Sequence, residues 1–190
     1  MFDNISRVFD TYLRQLNSVG SPFDCYIASP IAGDRTTATC AGFGEAERRG
    51  LAVLIGKGMC VDCHHGPLLS DLKFHNTGVP QTGPNVIEID GGYGAETIGG
   101  VEIPDQRLGQ FLTPPLRHVA ETGPYMHAGQ FATLAAVIEF YRRGGDHQGF
   151  SGLKDLRIEP LEITDEEARD LEAFLRSLTG TTEALEEWAP

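Results

Sequence analysis

Five consecutive residues, Cys60-Val61-Asp62-Cys63-His64, carry the most distinctive chemistry in this sequence, since they spell C-x-x-C-H. Two thiols at this spacing can form thioethers with the two vinyl groups of one haem, and the next residue places an imidazole under the iron. The alternatives are a C-x-x-C redox pair, which needs a thioredoxin-like βαβ context, and half of a zinc site, which needs a second pair of ligands. Neither context is visible in the sequence, so the motif predicts one covalent haem c with His64 as the proximal iron ligand.

The ligand on the other face of the iron decides what a haem does, and three side chains are candidates for it. Met126, on a loop downstream of the motif, would favour electron transfer as a neutral thioether, unless it only fills a gap in the core. Tyr141 lies on the apolar face of a predicted helix, and the alternative for it is a core tyrosine. His127 would act as a ligand or as an acid/base towards peroxide, against a hydrogen-bonded loop histidine. Spacing alone favours Met126.

Composition excludes several classes of function. The chain has 190 residues, of which 41% are hydrophobic and 22% charged, as expected for one globular domain or slightly more. The net charge of −12 argues against nucleic acid as a partner. No apolar run approaches the length of a membrane span.

The first residues lack the basic and apolar regions of a signal peptide, yet haem attachment requires an oxidising compartment. We therefore expect a periplasmic protein whose N-terminal part is absent from this sequence.

Hydrophobic periodicity predicts a mainly helical fold. Apolar residues recur at helical spacing from Ile5 to Leu16, from Glu45 to Lys57 and after Thr133, and a capping box at Thr164 opens a last helix that ends at Gly180. Residues 66–112 are rich in Gly and Pro, which suits long loops wrapped around a cofactor, with a possible short strand at 86–89. Cys25 and Cys40 are predicted either to form a disulfide or to remain as two free buried thiols.

Three segments carry a family resemblance. Gly66-Pro67-Leu68-Leu69-Ser70, Phe74-His75-Asn76-Thr77-Gly78 and the stretch FLTPPLRHVAETGPYMHAG at 111–129 together resemble the bacterial di-haem cytochrome c peroxidase and MauG-type family. The resemblance covers about residues 45–180 and implies the C-terminal, cytochrome c-like haem domain of that family. Residues 1–44 resemble the tail of a missing first haem domain, and 181–190 form an acidic tail.

The resemblance also implies roles for individual residues. It places the second iron ligand on the helix after the P-Y-x-H-x-G loop, at Tyr141, where MauG-type members have Tyr and peroxidase members have Met; this reverses the preference for Met126. Thr122 and Pro124 match positions whose backbone oxygens bind calcium between two domains. His127 matches a histidine near the region between the haems. Arg117 is expected to contact either a haem propionate or a surface carboxylate.

The resemblance therefore implies an electron-transfer haem domain of a di-haem peroxidase or MauG-type oxidoreductase. It would exchange electrons with a peroxide-reacting haem on a missing or separately encoded domain, and its further partner would be a redox protein or a protein substrate. Two alternatives remain. One is a stand-alone monohaem cytochrome that carries electrons with Met126 as the ligand. The other is a single-domain peroxidase with an open sixth position and His127 as acid/base.

Overall fold

The computed structural model describes residues 2–13, 17–28, 40–82, 86, 88–98 and 100–183. Within these ranges the chain forms five α-helices: α1 (Phe2–Leu13), α2 (Pro22–Ala28), α3 (Glu45–Ile55), α4 (Leu134–Arg142) and α5 (Asp165–Arg176). The helices predicted from the sequence near residues 5, 45, 133 and 164 are all present. The predicted C-terminal extension of the first one to Leu16 lies outside the described residues.

Side-chain caps explain where the helices begin. At α5 the Thr164 hydroxyl accepts the Glu167 backbone N–H at 3.2 Å, and the Glu167 carboxylate accepts the Thr164 N–H at 2.8 Å, which is the predicted capping box. At α4 the Thr133 hydroxyl accepts the N–H of Ala136 at 3.2 Å. The Thr133 cap fixes the first turn of α4, the helix that contains Tyr141.

In the described part of the chain, six short strands make three separate two-stranded antiparallel sheets. In the first, β1 (Asn17–Val19) pairs with β6 (Thr181–Glu183), with Ser18 opposite Thr182. In the second, β2 (Phe74–His75) pairs with β5 (Phe111–Leu112). In the third, β3 (Thr97–Ile98) pairs with β4 (Val101–Glu102). The possible strand at 86–89 is not formed at residues 86, 88 and 89, whereas residue 87 is outside the description.

The hydrophobic core lies between α3 and α5, with α2 and α4 packed at its sides. Val53 and Leu54 of α3, Phe174 of α5 and Leu178 just after α5 are almost completely buried. Gly50 allows the two helices to approach closely, since a Cβ at this position would lie 2.0 Å from the backbone oxygen of Asp170. The packed α3–α5 pair therefore fixes the position at which the chain leaves α3.

Segment 17–28 packs on this core, which places part of the predicted 1–44 unit against the predicted 45–180 unit. Phe23 of α2 is buried, with its ring edge-on to Phe174 at 5.4 Å between centroids. A disulfide joins Cys25 to Cys40, with 5.8 Å between their Cα atoms. The structure thus decides the sequence alternatives in favour of the bridge. Helix α2 itself was not predicted, because the Pro22 region has the composition of a turn.

The apolar face of α1 is exposed: Ile5, Val8 and Phe9 have 46%, 68% and 62% of their surface accessible. Within the described ranges, every helix is too short or too polar to cross a lipid bilayer.

Candidate haem attachment site

The C-x-x-C-H motif follows α3 directly and folds as a single tight turn. The chain leaves α3 at Ile55, and residues 60–62 form a 3₁₀ helix. The backbone N–H groups of Cys63 and His64 both bond to the oxygen of Cys60, at 3.2 and 2.8 Å. Since residues three and four apart in a helical turn lie on one face, Cys60, Cys63 and His64 are presented together.

Both motif cysteines are free thiols and are partly buried. Burial raises the pKa of the Cys60 thiol to about 11 and also raises the pKa of Cys63. Catalytic and redox-active cysteines have the opposite property, a lowered pKa that yields thiolate at neutral pH. The two thiols therefore fit covalent attachment to a cofactor better than nucleophilic or disulfide chemistry.

His64 has the environment of a metal-binding imidazole. Its Nδ1 lies 2.8 Å from the backbone oxygen of Leu69, and because a carbonyl only accepts, Nδ1 carries the proton. Burial lowers the pKa of the ring, which keeps it neutral, and the lone pair is then on Nε2. Leu69 adopts the left-handed conformation, with φ of 52°, which few non-glycine residues do. Two free thiols and a neutral histidine with one nitrogen available are the donor set that covalent haem requires, so the residues fit the group.

Tyr141 is brought to the same region from the C-terminal turn of α4. Burial raises the pKa of its phenol to about 12, and the neighbouring thiols of Cys60 and Cys63 contribute to the increase. A hydrogen bond with Thr77 acts in the opposite direction. An electrostatic effect of both cysteines is expected for a phenol close to the attachment motif, where a second iron ligand would have to lie.

Met126 is positioned by a turn in the loop before α4. Its φ is 70°, and its backbone oxygen accepts the N–H of Gly129 at 3.1 Å, while Tyr125 and Phe131 bridge the two sides of the turn. The side chain is half-buried. The structure thus gives Met126 a defined turn position, and a ligand role for it remains an alternative from the sequence.

His127 pairs with a carboxylate that the sequence did not single out. Its Nε2 lies 2.9 Å from Oδ2 of Asp90, and its ring stacks on Phe111 with 4.0 Å between centroids. The histidine side chain is 44% exposed and that of Asp90 is 50% exposed. The pair is therefore a solvent-facing one, and the catalytic role of His127 stays a prediction.

Arg117 contacts a carboxylate and a backbone carbonyl of the protein. Its Nη1 lies 2.6 Å from Oδ1 of Asp24, and its Nε donates to the backbone oxygen of Pro67 at 3.0 Å. Burial opposes the charge of Asp24, but the hydrogen bond from Arg117 holds the pKa of that carboxyl below its usual value. The side chain of Arg117 is only 11% exposed, so this is a partly buried ion pair that ties α2 to the loop before α4. The propionate contact remains a prediction.

Thr122 and Pro124, the predicted calcium positions, lie in an exposed loop. The Thr122 hydroxyl donates to the backbone oxygen of Val119 at 3.2 Å, and the Gly123–Pro124 peptide bond is cis. Calcium at this loop stays a prediction.

A charged cluster beside Cys63 was missed from the sequence. His75 Nε2 lies 2.9 Å from Asp71, its Nδ1 lies 3.1 Å from Asp155, and Arg157 pairs with Asp155 at 2.6 Å. Ligand atoms of Cys63, Asp71 and His75 lie within 4.8 Å of one another. Arg157 and Asp155 come from a loop about eighty residues after His75. No local spacing pattern in the sequence therefore predicts their contact with His75.

The sequence is similar to those of several known proteins. The sequence is 35% identical over 185 residues to cytochrome-c peroxidase IdrP1 of Denitromonas iodatirespirans, covering 84% of this chain and 45% of that protein. It is 29% identical over 182 residues to methylamine utilization protein MauG of Methylorubrum extorquens, covering 96% of this chain and 46% of that protein. The chain therefore spans about half the length of the curated relatives that it matches. No protein-family model matches the chain.

A solved structure is similar in fold as well as in sequence. The crystal structure of a MauG-like protein associated with microbial copper homeostasis superimposes with a TM-score of 0.63 and 33% identity, over 86% of this chain and 53% of that one. Each of these proteins is similar over most of the present chain. The chain belongs to the family of bacterial di-haem cytochrome c peroxidases and MauG proteins, which are haem-dependent oxidoreductases.

Proposed function

We propose that this chain is a c-type haem domain that transfers electrons in a di-haem peroxidase or MauG-type oxidoreductase. Its haem would exchange electrons with a peroxide-reacting haem carried by another domain or chain. The observation that supports the proposal is the electrostatic effect of Cys60 and Cys63 on the buried phenol of Tyr141. If His64 and the Tyr141 phenol both bound the iron, peroxide would find no vacant position, which would favour electron transfer over peroxide chemistry at this haem.

The chain's own residues have separate tasks in this proposal. Cys60 and Cys63 would hold the haem through two thioethers. Burial raises their pKa and keeps them protonated at neutral pH, so each S–H would add across one vinyl group, with the sulfur on one vinyl carbon and the hydrogen on the other. His64 supplies the neutral Nε2 lone pair, and Leu69 fixes the plane of the ring through Nδ1–H. When bound, the haem supplies a one-electron redox centre.

Tyr141 would act as an oxygen donor, and this requires that its proton leave. The pKa of about 12 means that the phenol is protonated in water at neutral pH. A positive metal ion lowers the pKa of a group that it binds, as it does for bound water or thiols. An anionic oxygen donor stabilises the ferric state relative to the ferrous state, so we expect a lower midpoint potential than a thioether ligand from Met126 would give.

Location and partners follow from the same chemistry. We propose a periplasmic protein, supported by the Cys25–Cys40 disulfide, since disulfides persist in oxidising compartments. The Gly- and Pro-rich segment 66–112 would supply much of the enclosure of the haem. The redox partner would be a second haem domain together with an electron-donating protein or a protein substrate.

The test compares the ferric absorption and low-temperature EPR spectra of the haem-loaded chain with those of Tyr141→Phe. The matched control is Tyr125→Phe, because Tyr125 is half-buried in the loop that contains Met126. Low-spin signals in the parent chain and in the control, with high-spin signals in Tyr141→Phe, are expected.

A different result would identify a different function. A thioether-to-iron charge-transfer band that survives in Tyr141→Phe and disappears in Met126→Leu would make the chain a Met-ligated electron carrier. A high-spin parent spectrum that does not change in Tyr141→Phe would indicate an open position, and hence peroxide chemistry in this domain.

A further inference from the structure

A cleft of about 480 Å³ opens at the surface beside the charged cluster of His75. It lies between segments 72–75 and 107–110, and six residues line it: Leu72, Lys73, Phe74, His75, Arg107 and Gln110. Its volume falls in the range of sites for small organic ligands. The proposed iron ligands His64 and Tyr141 are not among the lining residues.

Two positive charges face this cleft in a chain whose net charge is −12. Neither Lys73 nor Arg107 forms an ion pair with any residue that the structure describes. Arg107 donates its Nε–H to the side-chain oxygen of Gln110, and its guanidinium lies 4.9 Å from the centroid of the Tyr93 ring. These contacts fix the guanidinium plane while its two terminal nitrogens, within the described part of the chain, have no hydrogen-bond acceptor.

The remaining walls are held in place before any ligand arrives. His75 has Asp71 at 2.9 Å from Nε2 and Asp155 at 3.1 Å from Nδ1, and its side chain is 12% exposed. Phe74 stacks on Tyr93 with ring centroids 4.1 Å apart. The carboxylate of Asp71 is turned towards His75 and its side chain is only 2% exposed, so it adds little negative charge to the open face of the cleft.

We propose that this cleft binds the carboxylate of a small organic acid, preferably one with a flat apolar body. The guanidinium of Arg107 presents a planar pair of donors that matches a carboxylate, and Lys73 adds a mobile point charge. Leu72 and Phe74 provide apolar surface for the rest of the ligand. Because a His75 nitrogen lies within 4.8 Å of the Cys63 sulfur, the bound acid would lie close to the haem attachment point.

The test is a calorimetric titration of the haem-loaded chain with benzoate, with benzamide as a neutral ligand of the same shape. We expect benzoate to bind more tightly than benzamide. Arg107→Gln and Lys73→Gln should each weaken benzoate binding by about two- to fivefold, the effect typical of an exposed charge pair. Lys57→Gln is the matched control, because this exposed lysine lies on the segment after α3 and pairs with Glu167; it should leave the affinity unchanged.

Benzoate affinity that is equal in the parent chain and in both variants, or equal to that of benzamide, would overturn the proposal. A carboxylate of the cofactor itself could use the same two cations. In that case the haem-loaded chain would fail to bind benzoate and Arg107→Gln would shift the midpoint potential of the haem, which also overturns binding of a free acid. Iron ligation by Tyr141 does not enter this titration, so the proposed function and the acid site can fail independently.

Discussion

His64 and Leu69 are joined by a hydrogen bond of 2.8 Å between the ring Nδ1 and the backbone oxygen, five residues apart. The bond closes a loop in which Leu69 has a left-handed backbone, so the carbonyl is presented to the ring by a conformation that costs free energy of order 1 kcal/mol or more. This bond selects the tautomer with a free Nε2. It therefore favours His64 over the adjacent His65 as the proposed iron ligand.

We expect His64→Ala to lose the proximal ligand while the covalent attachment through Cys60 and Cys63 persists. The ferric absorption spectrum should change from that of the parent chain, and the thermal midpoint should fall, because the buried imidazole and its bond to Leu69 are lost together. Absorption spectroscopy and circular dichroism of the haem-loaded variant measure the two effects.

His65→Ala is the matched control for this change. His65 is exposed, and it has the same side chain one position along. We expect its spectrum and thermal midpoint to match those of the parent chain. If His64→Ala also kept the parent spectrum, the assignment of the proximal ligand would be wrong.

Local spacing is what made the attachment turn predictable from the sequence. Cys60, Cys63 and His64 lie within five residues, and the periodicity of α4 placed Tyr141 on an apolar face. Contacts between distant segments could not be predicted in this way. The Asp24–Arg117 pair joins residues 93 apart, and Asp155 reaches His75 across 80 positions; only tertiary folding selects such partners.

The pH dependence of stability should reveal the cluster around His75. Burial opposes the charge of Asp71, but the hydrogen bonds from His75, the Lys73 backbone and Thr113 hold its pKa well below the usual value. A lowered folded-state pKa means that the carboxylate contributes stability above its unfolded pKa of about 3.9 and loses this contribution as pH falls towards the folded value. Asp71→Asn should therefore be less stable than the parent chain at pH 7. Below about pH 4 its free energy of unfolding should decline less steeply than that of the parent, and the two slopes should differ by at most about 1.4 kcal/mol per pH unit.

Denaturant unfolding of the haem-loaded chain between neutral pH and about pH 2 checks this expectation. Asp105→Asn serves as the control, since Asp105 is exposed, and we expect its stability at pH 7 to stay within about 0.5 kcal/mol of the parent. If Asp71→Asn and the parent chain lost stability with the same slope in acid, the pairing of Asp71 with His75 would not persist in solution.

We expect that Gly50 of α3 cannot be replaced by alanine without loss of stability. A Cβ there would lie 2.0 Å from the Asp170 oxygen and 2.7 Å from the Phe174 Cβ, so α3 and α5 would have to separate. Alanine favours a helix over glycine by about 1 kcal/mol, but overpacking against a backbone carbonyl costs about 1–3 kcal/mol or more. We expect a net loss of about 1–2 kcal/mol in the free energy of unfolding of Gly50→Ala, measured by denaturant titration.

Gly44→Ala is the control, because its nearest contact is the flexible Glu47 carboxylate at 3.4 Å; we expect a loss below about 1 kcal/mol there. Since α3 leads directly into Cys60, separation of the helices would also displace the attachment turn, and lower haem incorporation in Gly50→Ala than in Gly44→Ala would show it. Equal stability and equal haem content in the two variants would contradict the close α3–α5 contact.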